Sequence, residues 1–426
     1  MKKIILTLTV LVYSALIFTA CTGKKADENY LRLTWWGNTV RDEQTLKVVE
    51  LFKSGNPEVT VDTEATGWGG YWDKVNTQAA SGSVPDIMQQ DYAYIGQWAS
   101  RGQLFDLTPY VDNRTIDVSR IPDYVLSGGK IDGKLYGILL GTTAYGMAYD
   151  PAVLEAAGVL PIDSATWTLK DFESVAETVY QKTRVKTIPF DPVDPVPALE
   201  NFIRQTGASL YGPGGKSLGF TDTAVLKEFW DVQLRLLDKG VLVPASEAFV
   251  QASMEEDHLS TGKSWNKYIW NTQISAAINA AGRPLDLFFL PRIEQYVQPG
   301  NYLKPSMFFS ITAGAENPDL AAQFINFFLN DLAANDIIMG ERGIPAPSNV
   351  RDHLIAKVDN NQKVAFTFLT YAAGYSGPID PPDPGTSGEV RAIFRDTTVQ
   401  VLNRTISSDE GAARFMMRAN QILGGN

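Results

Sequence analysis

From Tyr30 the chain alternates apolar and polar positions, with Leu31, Leu33 and Trp35 on one face, which predicts a half-buried strand. Residues 41–54 then place Leu46, Val49 and Phe52 close to one stripe of a helix, and Gly55-Asn56-Pro57 stops it. Alternation resumes over residues 59–63. Strand, helix and strand inside 30–63 make a βαβ unit, and its right-handed crossover implies a parallel sheet and an α/β fold class.

Further along, Asp150-Pro151 followed by Gly158 has the signature of a short helix, with Asp as N-cap, Pro at the first helical position and Gly past the end. Thr168 with Asp171 three residues on resembles a capping box ahead of Phe172, Val175, Ala176 and Val179. Asn317-Pro318-Asp319 opens another helix, whose Leu320, Phe324, Phe327, Phe328 and Leu332 follow a 3.6 period. The helix over 222–239, closed by Gly240, is apolar around most of its circumference, so burial on two sides is expected. Two stretches, 189–197 (PFDPVDPVP) and 376–388 (SGPIDPPDPGTSG), carry too much proline to continue a helix or a sheet. They read as rigid surface loops or as preformed loops shaping a ligand mouth. There is no internal repeat, and no GxGxxG, P-loop or HExxH motif.

Composition narrows the function. A chain of 426 residues divides into roughly two to four units at ~100–200 residues each. Its 44% hydrophobic content supplies a sizeable core. Lys+Arg 37 against Asp+Glu 48 gives a net charge of −11, which repels phosphate backbones and disfavours nucleic acid as a partner. With Cys21 as the sole cysteine and His258 and His353 as the only histidines, intrachain disulfides are impossible. Cys/His metal sites and His-dependent nucleophilic catalysis lack their parts too. No cofactor or metal is expected.

Residues 1–20, MKKIILTLTVLVYSALIFTA, begin with two lysines, continue through an uncharged apolar run and end on small residues before Cys21, as a signal peptide does. Phe18-Thr19-Ala20-Cys21 resembles the lipobox of bacterial lipoproteins, with Phe18 where Leu is usual, and implies lipidation of Cys21. The other reading is an ordinary signal peptide cut near Ala20, with an incidental cysteine. A multiply acylated Cys21 would anchor the chain to a membrane surface, with residues 22–29 as a polar tether.

Aromatics crowd the first strand ends. Neighbouring strand residues point to opposite faces, so at least one of Trp35 and Trp36 should look outward at the C-terminal end of its strand, where open parallel sheets bind ligands. Gly67-Trp68-Gly69-Gly70-Tyr71-Trp72 reads as a glycine-rich turn carrying three more aromatics. Indole and phenol rings suit the C–H face of a sugar, whose hydroxyls need planar multivalent partners. Asn38, Arg41, Gln90 and Asp91 are candidates for that role near the strand ends.

Several segments together resemble the extracellular solute-binding proteins of ABC importers, in the oligosaccharide-binding family that includes maltose-binding protein. They are Leu33-Thr34-Trp35-Trp36-Gly37, Tyr71-Trp72-Asp73-Lys74-Val75, Ala80-Ser81-Gly82-Ser83-Val84-Pro85-Asp86-Ile87 and Gly102-Gln103-Leu104-Phe105-Asp106-Leu107-Thr108, with Trp167-Thr168 after them. Trp270-Asn271-Thr272-Gln273, Leu290-Pro291, Lys304-Pro305-Ser306, and Phe324-Ile325-Asn326-Phe327 leading to Arg342-Gly343-Ile344-Pro345 follow. The resemblance implies a two-lobed periplasmic-binding-protein-like clamshell with three hinge crossings, near 142–145, 268–273 and 342–346. Lobe one would be 30–141 with 274–341, and lobe two 146–267 with 347–426. The ligand-facing residues it implies are Trp36, Gly37 and Asn38, Trp68 and Tyr71, Gln90, Asp91 and Tyr92, Trp270 and Asn271, and a late aromatic, Tyr375. Arg41 joins them from its place beside the first strand end.

The function implied is a membrane-anchored extracytoplasmic receptor that captures a mono- or oligosaccharide and presents it to ABC permease subunits, without enzymatic activity and as a monomer. A polyamine, peptide or iron complex in the same fold, and a lipid-anchored glycoside hydrolase using a carboxylate pair, stay open on the sequence.

Overall fold

The computed structural model describes residues 28–37, 39–250 and 253–425. The signal segment with Cys21, residues 22–27 of the tether, and Asn38 lie outside the described residues. No described helix is long and apolar enough to cross a membrane.

Strand β1 (Tyr30–Trp36), helix α1 (Thr39–Gly55) and strand β2 (Thr60–Thr66) form the βαβ unit, with β1 and β2 parallel and Trp36 opposite Thr66. Helix α1 buries Thr45, Val48, Val49 and Phe52, whereas Leu46 is exposed. The spacing misassigned Leu46 because it sits about 100° round from Thr45, off the face that the other four define. Helix α2 (Trp68–Ala80) starts where a glycine-rich turn was expected, with Gly67 as its N-cap. Glycines in a first turn cost a helix about 1 kcal/mol each, and here packing of Tyr71 and Trp72 against Trp36 overrides that propensity. Strand β3 (Ile87–Gln90) leads through Asp91 into helix α3 (Tyr92–Ser100).

Strands β4 (Ile138–Thr143) and β5 (Tyr145–Tyr149) are separated by Ala144 alone. Helix α4 (Pro151–Ala157) has the expected Asp150 cap and left-handed Gly158, and α5 (Leu169–Thr183) has the Thr168/Asp171 capping box. After α6 (Val196–Gln205) comes α7 (Ala224–Asp238), which packs against α5 and α6 and against two helices from the chain's end. That wrapping explains its nearly all-round apolar surface. Then follow β6 (Asn266–Trp270), α8 (Ile274–Ala281), β7 (Asp286–Phe288), β8 (Lys304–Ile311) and α9 (Pro318–Asn330). The chain breaks at Asp331, which caps α10 (Leu332–Ile338), so the exposed Leu332 is not on the α9 stripe. Helices α11 (Ser348–Ile355), α12 (Asn360–Ala373), α13 (Ser387–Leu402) and α14 (Ser408–Leu423) complete the chain.

Five strands order as β2-β1-β3-β8-β4, with β1 parallel to β2 and β3, and β8 antiparallel to β3 and β4. A second, antiparallel sheet orders as β6-β5-β7. Two hydrophobic cores flank the second sheet, whose alternate residues Ala148, Ile269 and Leu287 enter the first and Met147, Tyr268 and Phe288 the second. The first gathers Leu31, Leu33, Ile87, Phe308 and Phe309 with α1 and α9, and the second gathers Met147, Phe172, Phe190, Phe229, Trp230 and Trp265 with α13 and α14. Ala144 belongs to the first core and Tyr145 to the second. Val350, Leu354, Phe366, Phe368 and Leu369 of α11 and α12 bury in the first core, which also takes in Ala148, Ile269 and Leu287 of the second sheet, and α12 packs on β7 and α8. Only from Val390 do the chain's later buried side chains join the second core. Apolar helical faces on α11 and α12 fit either neighbour, and periodicity alone does not say which.

Three chain segments lie side by side where the cores meet. Thr142 and Ile344 exchange backbone hydrogen bonds (2.7 and 3.2 Å), and the Asn271 N–H donates to the Ala144 carbonyl at 2.9 Å. The approach is close enough to require glycine. A Cβ on Gly141 would sit 2.6 Å from the Arg342 carbonyl oxygen, and Gly343 has φ +100 with no room beside Ser306.

Candidate ligand site

A cavity of about 560 Å³ opens between the two cores beside this junction, inside the ~300–1,000 Å³ range of small-molecule sites. Its first-core wall is the start of α3. Asp91 is the N-cap there, its Oδ1 accepting from the Ala93 N–H at 2.8 Å, and Tyr92 follows it. Thr143 and Trp270 supply the junction wall, with Tyr302 and Lys304 at the start of β8. The second-core wall is Asp194, Pro197 and Glu200, and Ile379, Asp380, Pro381 and Asp383 close the remaining side with Arg391 of α13.

Both proline-rich stretches therefore reach the cavity, as the ligand-mouth reading expected. The later one is a strap tied to both cores. From the first, the Tyr92 hydroxyl donates to the Asp380 carbonyl. From the second, Arg204 pairs with the Asp380 carboxylate at 2.7 Å and donates to the Pro378 carbonyl at 2.6 Å. Arg391 bridges the two stretches, pairing with Asp194 at 2.6 Å and Asp383 at 2.9 Å. Proline fixes the strap's backbone in advance, so fewer conformations are lost when it is held there.

The cavity combines aromatic faces with acidic groups. Trp270 packs edge-on against Tyr145 (5.4 Å between centroids) and lies 6.4 Å from Tyr302, with Lys304 Nζ 5.1 Å from its ring centre. The Tyr302 hydroxyl donates to Glu200 Oε2 at 3.0 Å. Burial, reinforced by Asp383 and Asp380 and opposed by Arg204 and the Tyr302 hydrogen bond, pushes the Glu200 carboxyl up to about 7. Such a set of groups can stack on an apolar ring face and accept several hydrogen bonds. Among the described residues no cluster of His, Cys, Asp or Glu could hold a metal ion.

Of the residues the sequence singled out, the structure brings Asp91, Tyr92 and Trp270 together on the cavity wall. Trp36 and Tyr71 are buried instead. Trp36 meets Trp68, Tyr71 and Trp72 at centroid distances of 5.0, 5.1 and 5.8 Å, and the Tyr71 hydroxyl donates to the Gln89 carbonyl. Both faces of β1 are covered at its end, which is why neither Trp35 nor Trp36 looks outward. Trp68 alone of this group keeps 47% of its surface exposed. Gly37 and Arg41 form a structural corner, where Arg41 pairs with Glu341 at 2.8 Å and donates to the Trp36 carbonyl. Gln90 is fully buried beside Met88. Asn271 is also fully buried and bonds the junction together, while Tyr375 packs with Phe289 and Tyr371 away from the cavity wall. Sequence reasoning missed Glu200, Tyr302, Lys304, Asp380, Asp383 and Arg391; the proline-rich stretches were the available signal for Asp380 and Asp383 and lead into the segments that carry Glu200 and Arg391.

Residues 47–367 match the family model described as bacterial extracellular solute-binding protein. A solved extracellular solute-binding protein family 1 structure from Alicyclobacillus acidocaldarius is 30% identical, with 93% of this chain and 98% of that chain covered and a TM-score of 0.86. A lactose-binding protein of Rhizobium radiobacter is 25% identical over 309 residues, 70% of each chain. A periplasmic oligogalacturonide binding protein from Yersinia enterocolitica shares the fold at 23% identity, covering 92% of this chain and 98% of that one with a TM-score of 0.78. The family model spans most of the chain and the Alicyclobacillus structure nearly all of it, so the chain belongs to the bacterial extracellular solute-binding proteins, a family that binds solutes outside the cytoplasm rather than one of enzymes.

Proposed function

We propose that this protein captures a mono- or oligosaccharide in the cavity between its two cores and delivers it, chemically unchanged, to the permease subunits of an ABC importer. The observation that carries the reading is the cavity itself: aromatic faces from Tyr92, Trp270 and Tyr302 beside carboxylates from Asp91, Glu200 and Asp380, contributed by both cores. The names of the lactose-binding relative and of the oligogalacturonide-binding structure support a carbohydrate ligand. The two cores act as lobes about the junction at 142–145 and 268–273, with 342–346 alongside, and a ligand that touches both walls favours the closed arrangement. The protein works as a monomer, held at the membrane by an acylated Cys21.

The test is small-angle scattering and calorimetry on the full chain carrying Cys21→Ser, against neutral, acidic and amino sugars and their oligomers. A glycan that binds should reduce the radius of gyration and be recovered intact. Absence of binding by every glycan, with a polyamine or peptide bound instead, overturns the carbohydrate reading. For the anchor, the wild-type protein should sediment with membranes and the Cys21→Ser variant should not.

A further inference from the structure

Carboxylates outnumber cations around the cavity. Asp91, Asp194, Glu200, Asp380 and Asp383 line it against Lys304 and Arg391. Arg391 is shared between Asp194 and Asp383, and Arg204, behind the wall, is held by Asp380 Oδ1. Lys304 neutralises none of them, since its ammonium rests over the Trp270 ring and no carboxylate of the described residues lies within ion-pair distance. Asp380 Oδ2 is buried with no hydrogen-bond donor. A carboxylate offers about four acceptor sites, and Glu200 and Asp91 have one each taken, by the Tyr302 hydroxyl and the Ala93 N–H. Five carboxylates thus stand against two cations, so the wall has more acceptor than donor capacity.

We propose that the cavity selects a sugar bearing a protonated amino group, received by Glu200, Asp380 and Asp91, and rejects uronic acids. The proposal rests on the carbohydrate reading above and specifies its ligand. Partly buried anions gathered around one cavity attract a cation, and by the same argument disfavour a second anion.

Glu200 gives the selection a pH signature. It is faced by Arg204 on its own helix, by Asp380 and Asp383 on the strap, by the Tyr302 hydroxyl from the β8 side, by Tyr92 on α3 and by Tyr211 beyond α6. With its carboxyl pushed up to about 7 in the empty cavity, Glu200 must lose a proton to receive an ammonium. Affinity for an amino sugar should therefore rise by up to about tenfold per pH unit below 7 and fall again where the sugar's own ammonium loses its proton, and binding near pH 6 should release a proton.

The experiment titrates the full Cys21→Ser chain with glucosamine and its oligomers, their N-acetylated forms, glucose oligomers of equal length, and digalacturonate. Calorimetry runs at pH 6, 7 and 8 in two buffers of different ionisation enthalpy. Expected is at least tenfold tighter binding of an amine over its N-acetylated form, no uronate binding, and proton release that only the amine produces. Equal or tighter binding of the neutral, N-acetylated or uronic form overturns the proposal while leaving the carbohydrate function standing. Failure of every glycan overturns both. Glu200→Gln should abolish the amine preference and its pH slope, and Asp91→Asn is the second variant should the first lower the melting temperature. A preference unchanged in the folded variants also overturns it.

Discussion

Asn271 separates two readings of one residue. By its place in the sequence it should face the ligand, yet it is fully buried and holds the junction together. Its Oδ1 accepts from the Thr143 hydroxyl at 2.8 Å and the Ala144 N–H at 2.9 Å, and its Nδ2 donates to the Ala365 carbonyl at 3.1 Å. Asn271→Leu keeps similar bulk and removes all three bonds. The Ala144 N–H is left buried without a partner, at a cost of about 1–3 kcal/mol, and the other two bonds contribute about 0.5–1.5 kcal/mol each. Part of this is recovered because the half-buried Thr143 hydroxyl can turn to water, so the expected loss is about 3 kcal/mol. With a urea slope of about 3 kcal/mol/M, the unfolding midpoint should fall by about 1 M. Ligand affinity of the folded variant should change far less than that of a cavity-wall variant. A midpoint shift below about 0.3 M together with lost ligand binding would refute the structural role and restore the ligand-facing one.

Trp270→Ala should do the reverse, raising the ligand dissociation constant about five- to thirtyfold, or ~1–2 kcal/mol of lost stacking and apolar contact, with a minor change in melting temperature. Calorimetry decides it, and an unchanged constant would remove Trp270 from the site. Arg342 is nearly fully buried, bonding Gln89 Oε1 at 3.0 Å and Thr45 Oγ1 at 2.7 Å beneath the rings of Phe309 and Phe328. Arg342→Ala leaves a void and unpaired acceptor capacity and should cost about 3–5 kcal/mol, whereas Arg342→Met, which refills the stem's volume, should cost about 1–2. Equal losses in urea unfolding would show that packing of the stem contributes nothing.

The first βαβ unit and the capped helices α4 and α5 were legible because their signals are local: alternation, a stop at Gly55-Asn56-Pro57, and side chains that bond to backbone within three residues. Choices between two available neighbours were not. Leu46 and Thr45 fit a stripe equally well on paper, and the sheet and α10 select Thr45. Helices α11 and α12 carry apolar faces that either side could accept, and α12 settles against β7 and α8.

The site follows the same logic. Asp91 was recognisable by its place near a strand end, whereas Tyr92 and Trp270 were named only through the resemblance to solute-binding proteins; Tyr92 opens a capped helix after a short strand and Trp270 ends a strand at the junction. Trp36 ends a strand too, but α2 begins at Trp68 and lays Tyr71 and Trp72 across it, so the cluster expected to meet the ligand seals the first core instead. Glu200, Tyr302 and Asp380 come from segments about 80 to 180 residues apart, each unremarkable alone. Their common feature is that a rigid segment delivers each of them or its partner: the proline-rich stretch leads directly into α6 for Glu200, and the strap carries Asp380 across to Tyr92 and Arg204. Proline density in this chain marks where backbone is held at the cavity, and Asp194, Asp380 and Asp383 within those stretches join Asp91 and Glu200 in giving the cavity its charge.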